Sequence, residues 1–283
     1  MRINTNIEAI NAHRNLTVTG GNLTRSMEKL SSGLRINRAA DDAAGLAISE
    51  KMRGQVRGTN QAVRNAQDGV SLLKTAEGAL NETHSILQRM RELSLQAANG
   101  TLSTGDRQAI GQELVHLRDE ITRIATSTEF NTRRVLDGTF TTTFQIGPNS
   151  GQTLTVALAN SQATAIGAVT GPPAVASLDA AVTAFNPADP LTAQTLIQSI
   201  DQATMDVSAN RSAAGALQNR LDHTIANLSV GAENLAAAES RIRDVDMAVE
   251  MVNFTKLQIL QQAGTAVLAQ ANMAPQAVLR LLG

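Results

Sequence analysis

For the first 129 residues no proline interrupts the chain, and apolar side chains return every three or four positions. Only long amphipathic helices accommodate that pattern. Leu23, Met27, Leu30 and Leu34 mark one stretch. Val63, Ala66, Val70, Leu73, Ala76, Leu80, Thr83, Leu87, Met90, Ser94 and Ala97 mark a longer one. Each seam lies along one side of a helix and needs a partner helix to cover it. The glycines and Asx residues from Gly33 to Gly45 predict a break between the two stretches. Asn99-Gly100 through Asp106 predicts a second break, followed by another helix running to about Thr126. The helical code returns near the other end. Leu221, Leu228, Leu235, Ile242 and Val249 stand seven apart, as do Ala238, Val245, Val252, Ile259 and Ala266. Two long helical arms separated by other material imply a chain that goes out, turns and comes back. A 55-residue helix would be roughly 80 Å long, too long for a compact globule of this size. The expected fold is therefore mainly α: an elongated rod of long antiparallel, coiled-coil-like helices from both chain ends.

Between the arms the texture changes. Phe144 and Ile146, then Leu154, Val156 and Leu158, alternate with polar or small residues around Gly147-Pro148-Asn149-Ser150-Gly151, which predicts one small β-hairpin near 140–158. Residues 159–191 hold four of the six prolines among Ala, Ser and Thr, and are expected to form a surface excursion with at most a short helix at 175–185.

The last forty residues raise a packing problem. If they are helical, Val245, Met247, Val249, Met251, Val252, Phe254, Leu257, Ile259 and Leu260 point all the way round the axis. A helix that is apolar on every side must be buried on every side, and one partner helix covers only one seam. The expectation is that both termini are disordered in the monomer and fold against neighbouring copies on assembly.

Composition narrows the functions. A formal charge of −1 lacks the basic footprint of nucleic-acid binding. With no cysteine there is no disulfide scaffold and no thiolate chemistry. Five Phe, with no Tyr or Trp, leave few rings for ligand pockets or base stacking. The N-terminal residues show no apolar run of signal-peptide length, and no stretch is long and apolar enough to insert into a membrane.

Catalytic motifs are absent: there is no His-Glu-x-x-His, phosphate-binding loop, dinucleotide fingerprint or nucleophile elbow. Glu113-Leu-Val-His116 has the spacing of a di-iron ligand pair, but no other histidine has a carboxylate three residues before it. A solvated helix face is the preferred reading. Asp41-Asp42 is read as a helix cap rather than a catalytic pair. Seven glycosylation sequons fall mostly within helices and are given no weight, whereas the Ser and Thr residues of 139–170 are candidates for O-linked sugar. No cofactor, metal or catalytic residue is expected.

Three blocks resemble bacterial flagellin: Met1-Arg-Ile-Asn-Thr-Asn-Ile7, the run from Leu30-Ser-Ser-Gly through Ala39-Ala-Asp-Asp-Ala-Ala-Gly-Leu-Ala-Ile48, and Ile242-Arg-Asp-Val-Asp-Met-Ala248. The resemblance covers residues 1 to about 158 and 195 to 283, with Leu217-Gln-Asn-Arg-Leu221 and Leu268-Ala-Gln-Ala-Asn272 supporting it. It implies a short form of the subunit, lacking large variable outer domains, that polymerises into the filament for swimming. Residues 1–42 and 244–283 would form an inner coiled-coil domain and 43–165 with 192–243 an outer helical domain, leaving 159–191 as a variable surface loop. The assembly residues so implied are Ile3, Ile7, Ile10, Leu23, Met27, Leu30, Leu34, Val249, Val252, Leu257, Ile259, Leu260 and Leu268.

Further implications follow from the same resemblance. They are unfolded export through the flagellar type III apparatus without a cleaved signal, a secretion chaperone on the C-terminal arm, contact with cap and hook–filament junction proteins, and an extracellular location. The segment Gln88-Arg-Met-Arg-Glu-Leu-Ser-Leu-Gln96 resembles the part recognised by the animal Toll-like flagellin receptor, carrying over Arg89, Leu93 and Glu113. The same patch is implied to pack axially in the filament. A hook–filament junction protein is the alternative identity, and a di-metal helical-bundle enzyme a more remote one.

Overall fold

The computed structural model describes residues 5–168 and 175–282; for Pro190 and residues 274–282 it describes the backbone alone. Six helices and four short strands follow one another along the described chain. Helix α1 (Ile7–Ser32) opens on the N-cap Asn6, whose side chain accepts from the Ala9 N–H at 3.0 Å. It closes at Gly33, which takes the left-handed conformation (φ 72°) and donates its N–H to the Lys29 carbonyl. In the following break, Asp41 accepts from the Asn37 and Arg38 N–H groups and Asp42 accepts from the Gly45 N–H. The two adjacent carboxylates thus end one turn and cap the next helix. Helix α2 (Ala43–Ala97) runs 55 residues, and α3 (Thr104–Ser127) starts from a reciprocal capping box between Ser103 and Asp106.

Strands β1 (Glu129–Phe130) and β2 (Arg133–Arg134) make a two-residue hairpin, its turn formed by Asn131 and Thr132, both at positive φ. Sequence reasoning missed this hairpin. Thr is β-branched and rarely left-handed, so Asn-Thr carries a far weaker turn signal than Asn-Gly. Strands β3 (Thr141–Gln145) and β4 (Thr153–Ala157) form the anticipated antiparallel pair, in register Thr141↔Ala157 to Gln145↔Thr153. Leu154 and Val156 turn into the core while Thr153 and Thr155 face outward. A short helix α4 (Leu178–Thr183) precedes α5 (Pro190–Arg243) and α6 (Met247–Leu282). Long helices therefore arise from both ends, as the spacing predicted.

The chain divides into two compact units, residues 1–56 with 233–283 and residues 57–232. The second holds a continuous apolar core. In it Ala66, Leu73, Ala76, Leu80, Thr83, Leu87, Met90, Ser94 and Ala97 are all buried, so nearly the whole predicted seam of α2 faces inward. Ile110, Leu114 and Ile121 of α3 and Leu196, Ile200 and Val207 of α5 pack in the same cluster.

Part of the expected surface excursion belongs to this core. Ser161, Ala163 and Ile166 are almost fully buried, as are Leu178 and Val182 of α4. Gly167 shows how tightly the segment is held. It has φ 82°, donates its N–H to Asp206 at 2.9 Å, and lies so close to the Ser199 carbonyl that a Cβ there would stand 2.7 Å from the oxygen. Proline, glycine and alanine suggested exposure. Small side chains and a left-handed backbone instead let this segment lie flat against α5.

Candidate functional site

In the first unit α1 and α6 pair antiparallel. Near one end the Asn6 side-chain amide donates to the Ala271 carbonyl at 2.7 Å; near the other, the Ser26 hydroxyl donates to Glu250 at 2.5 Å. Between them Leu16 packs over Gly264, where a Cβ would stand 3.2 Å from the leucine methyl. Beyond α1, the connection to α2 is strapped to the connection between α5 and α6. The Val245 N–H donates to the Gly33 carbonyl at 3.0 Å, the Arg35 N–H donates to the Arg243 carbonyl at 2.6 Å, and Leu34 bridges Asp244. Arg243 also pairs with Glu50. These backbone bonds absorb polar groups that two helix ends would otherwise leave open.

The pairing covers one stripe of α6 and no more. From residue 247 to 273 the only side chains not exposed are Glu250, Phe254, Leu257, Gln261, Gly264, Leu268 and Ala271, which alternate steps of four and three. That is a heptad seam, matched on α1 by Ala12, Leu16, Leu23, Ser26 and Leu30. The predicted assembly residues therefore separate into two sets. Leu23, Leu30, Leu257 and Leu268 lie in the seam, and Leu34 is half-buried at the strap. Ile7, Ile10, Met27, Val249, Val252, Ile259 and Leu260 point to solvent, Val252 being 70 % exposed and Ile259 60 %. Ile3 lies outside the described residues. Of the 17 large apolar side chains exposed among the described residues, 13 fall in this unit. Isolated exposed leucines are ordinary, but a contiguous apolar helix face marks a contact surface.

Val252, Ile259 and Ala266, noted from sequence as standing seven apart, form a second stripe that does not face α1. Ser26 and Glu250 were missed as seam members. Their signal was legible in retrospect, since Ser26 occupies the step between Leu23 and Leu30, and Glu250 interrupts an otherwise apolar run.

The second predicted patch lies on α2 and α3. Arg89 donates to Glu113 through Nη2 at 3.0 Å and Nε at 3.2 Å, and also pairs with Glu92. The Glu113 hydrogen bond, then that of Glu92, raises the Arg89 pKa above its ordinary value. Both partners are exposed, so the pair orients side chains more than it stabilises the fold. Leu93 does not share that surface: it is 2 % exposed, on the core side with Met90. Four residues after Arg89 on a helix it is close in sequence, but the stripe it follows is the inward one. Leu95, two residues further on, is exposed instead.

Glu113 is thus engaged by Arg89, while His116 is exposed. Among the described residues no three or more metal-capable side chains gather. No helix of the described residues is long and apolar enough to cross a membrane.

Two family descriptions match this sequence: "Bacterial flagellin N-terminal helical region" over residues 3–141 and "Bacterial flagellin C-terminal helical region" over residues 197–282. The chain belongs to the bacterial flagellin family. Among its relatives, the flagellin of Halalkalibacterium halodurans is 53 % identical over 283 residues, and that of Bacillus subtilis 52 % identical over 303, each alignment covering all of both chains. The fold is shared with a solved structure titled as a putative flagellar hook-associated protein from Vibrio parahaemolyticus, at TM-score 0.61 and 19 % identity over 72 % of this chain and 100 % of that one. Both members of the α1–α6 pair lie within the matched regions of this flagellin. The stretch between the matches, residues 142–196, contains β4, α4 and the turn in which Ala163, Ile166 and Gly167 are buried.

Proposed function

We propose that this flagellin polymerises into the extracellular bacterial flagellar filament and has no enzymatic role. The observation that carries the reading is the uncovered apolar stripe of α6, from Val249 through Ile259, on a helix whose opposite stripe is already occupied by α1. In a filament of many copies, neighbouring α1–α6 pairs supply the missing cover, so residues 1–42 and 244–283 make an inner layer and 43–165 with 192–243 an outer one. The monomer's terminal arms are then loosely held and gain their order on assembly.

Full-length identity above 50 % to flagellins favours the filament subunit over a hook–filament junction protein. Engagement of Glu113 by Arg89 disfavours a di-metal enzyme. By the same family reading the chain leaves the cell unfolded through the type III channel, is escorted by a chaperone on its C-terminal arm, and meets the cap and junction proteins at the filament ends. Arg89 and Glu113, with Leu93 packed in the core beside them, form the surface offered to the animal Toll-like flagellin receptor and to axial neighbours.

The test is seeded growth. Purified chain added to short filament fragments should extend them under the electron microscope, and a chain lacking residues 244–283 should not. Full-length chain that stays monomeric, with terminal helices resistant to protease, would overturn the proposal.

A further inference from the structure

Asn99 and Gly100 are the one Asn-Gly pair in the sequence, and both are exposed in the turn between α2 and α3. With no Cβ on residue 100, its backbone nitrogen can approach the Asn99 side chain closely. The Asn99 Oδ1 accepts from the Thr101 N–H at 3.3 Å, so the side-chain carbonyl is already polarised by a donor. On the other side of the same residue, the Asn99 main-chain carbonyl accepts from Arg107 Nη2 at 3.1 Å. Arg107 is only 7 % exposed, and its Nε is buried without a hydrogen-bond partner. The Nε–Nη2 edge of a guanidinium is the fork that grips two carboxylate oxygens in parallel. Here one tine holds a neutral carbonyl and the other is empty.

We propose that Asn99-Gly100 is a self-modification site, converting through a cyclic imide to isoaspartate whose new carboxylate is received by Arg107. The Gly100 nitrogen, losing its proton to base, attacks Asn99 Cγ. As that bond forms, the bond from Cγ to Nδ2 breaks and ammonia leaves. The resulting five-membered ring contains Asn99 Cα, Cβ, Cγ and main-chain carbon together with the Gly100 nitrogen. Water then opens it at one of two carbonyl carbons. Attack at the main-chain carbon breaks its bond to the Gly100 nitrogen, and the chain thereafter runs through Cβ and Cγ. The old main-chain carbonyl becomes a free carboxylate, with one oxygen already facing Arg107 Nη2 and the second derived from water.

Arg107 acts at two points in this sequence. Its Nη2 stabilises the oxyanion that develops at the main-chain carbon, and its Nε–H takes the second oxygen once the carboxylate exists. Opening at Cγ yields ordinary aspartate and leaves Arg107 as it was. The net change is hydrolysis of one amide to a carboxylate and ammonia. It adds one negative charge and one main-chain methylene beside the Ser103–Asp106 cap.

The experiment is peptide mass mapping of the full-length protein held in mildly alkaline buffer, with isoaspartate and aspartate products separated chromatographically. Asn99 should gain the mass of amide-to-acid conversion well before Asn149 or Asn160, which precede serine in non-helical segments. Gly100→Ala should slow it about tenfold. The isoaspartate-to-aspartate ratio at residue 99 should be higher in the parent than in Arg107→Gln. If that variant fails to fold, Arg107→Lys, which keeps the charge but not the fork, supplies the same comparison. Conversion no faster than at Asn149 and Asn160, or a ratio indifferent to residue 107, would overturn the proposal.

Discussion

Ser26 and Glu250, 224 residues apart in sequence, meet in a hydrogen bond between α1 and α6. It is a polar contact within a mostly apolar seam, and it fixes the register of the pair, since a shift of either helix by one turn would set the carboxylate against Leu23 or Leu30. Ser26→Ala removes the donor and leaves a half-buried carboxylate without it, at a cost of about 1–3 kcal/mol. Filaments of that variant should melt at a lower temperature in circular dichroism than those of the parent, and an unchanged melt would remove the register role.

The exposed stripe of α6 makes a sharper prediction. Ile259→Asp places a charge where a neighbouring copy is expected to close over the helix, so filament growth should be lost, while the unit formed by residues 57–232 keeps its cooperative unfolding. Leu257→Asp should also block growth, but through the α1 seam. Sedimentation of seeded reactions checks both. Ile259→Asp filaments of normal length would show that this stripe faces solvent after assembly.

Leu93 and Arg89 separate packing from surface contact. Leu93→Ala opens a cavity in the core and should cost about 2–5 kcal/mol in denaturant unfolding. Arg89→Ala should leave stability nearly unchanged and lower activation of a cell line reporting on the Toll-like flagellin receptor. If the two variants have equal stability, the assignment of Leu93 to the core is wrong.

The α3 cap predicts an acid response. Hydrogen bonds from the Ser103 side chain and then its backbone N–H hold the Asp106 carboxyl below the usual carboxylate range. Because the folded pKa is the lower one, the contribution is present above the unfolded value and fades as pH falls through the folded one. Protection of the first-turn amides of α3, taken relative to their intrinsic exchange at each pH, should therefore fall on acidification, and Asp106→Asn should flatten that dependence.

Gly167→Ala should cost about 1–3 kcal/mol, through its left-handed backbone and the Ser199 carbonyl in its path. Thermal unfolding measures it. A neutral result would mean that the turn lifts freely from α5.

What was legible in the sequence was periodic. The α2 seam from Ala66 to Ala97, the break from Gly33 to Gly45 and the β3–β4 hairpin each repeat a local rule often enough to be read without a structure. What was not legible depended on distant partners. Leu93 itself was legible, three residues after Met90 and four before Ala97 on the predicted seam, and that spacing contradicts the surface place implied for it by resemblance. Residues 159–191 look loop-like because alanine and glycine are weak local signals, yet Ala163 and Ile166 are buried and Gly167 fits where space against α5 is short. On α6, where apolar residues fall on every side of the axis, spacing alone could not say which stripe meets α1. The choice lay with Gly264 and Ala271, small enough for close approach, and with Glu250 opposite Ser26.

The partner of α1 is the last helix of the described chain, and the strap from Gly33 to Arg35 is closed by residues 243–245. A polypeptide threaded out from its beginning would carry α1 into place long before anything existed to pair with it, and one broken off early would never complete the pair. If chains assemble through this pair as proposed, the antiparallel arrangement would act as a check on length, because a chain lacking α6 leaves α1 uncovered and is expected to stay out of the lattice.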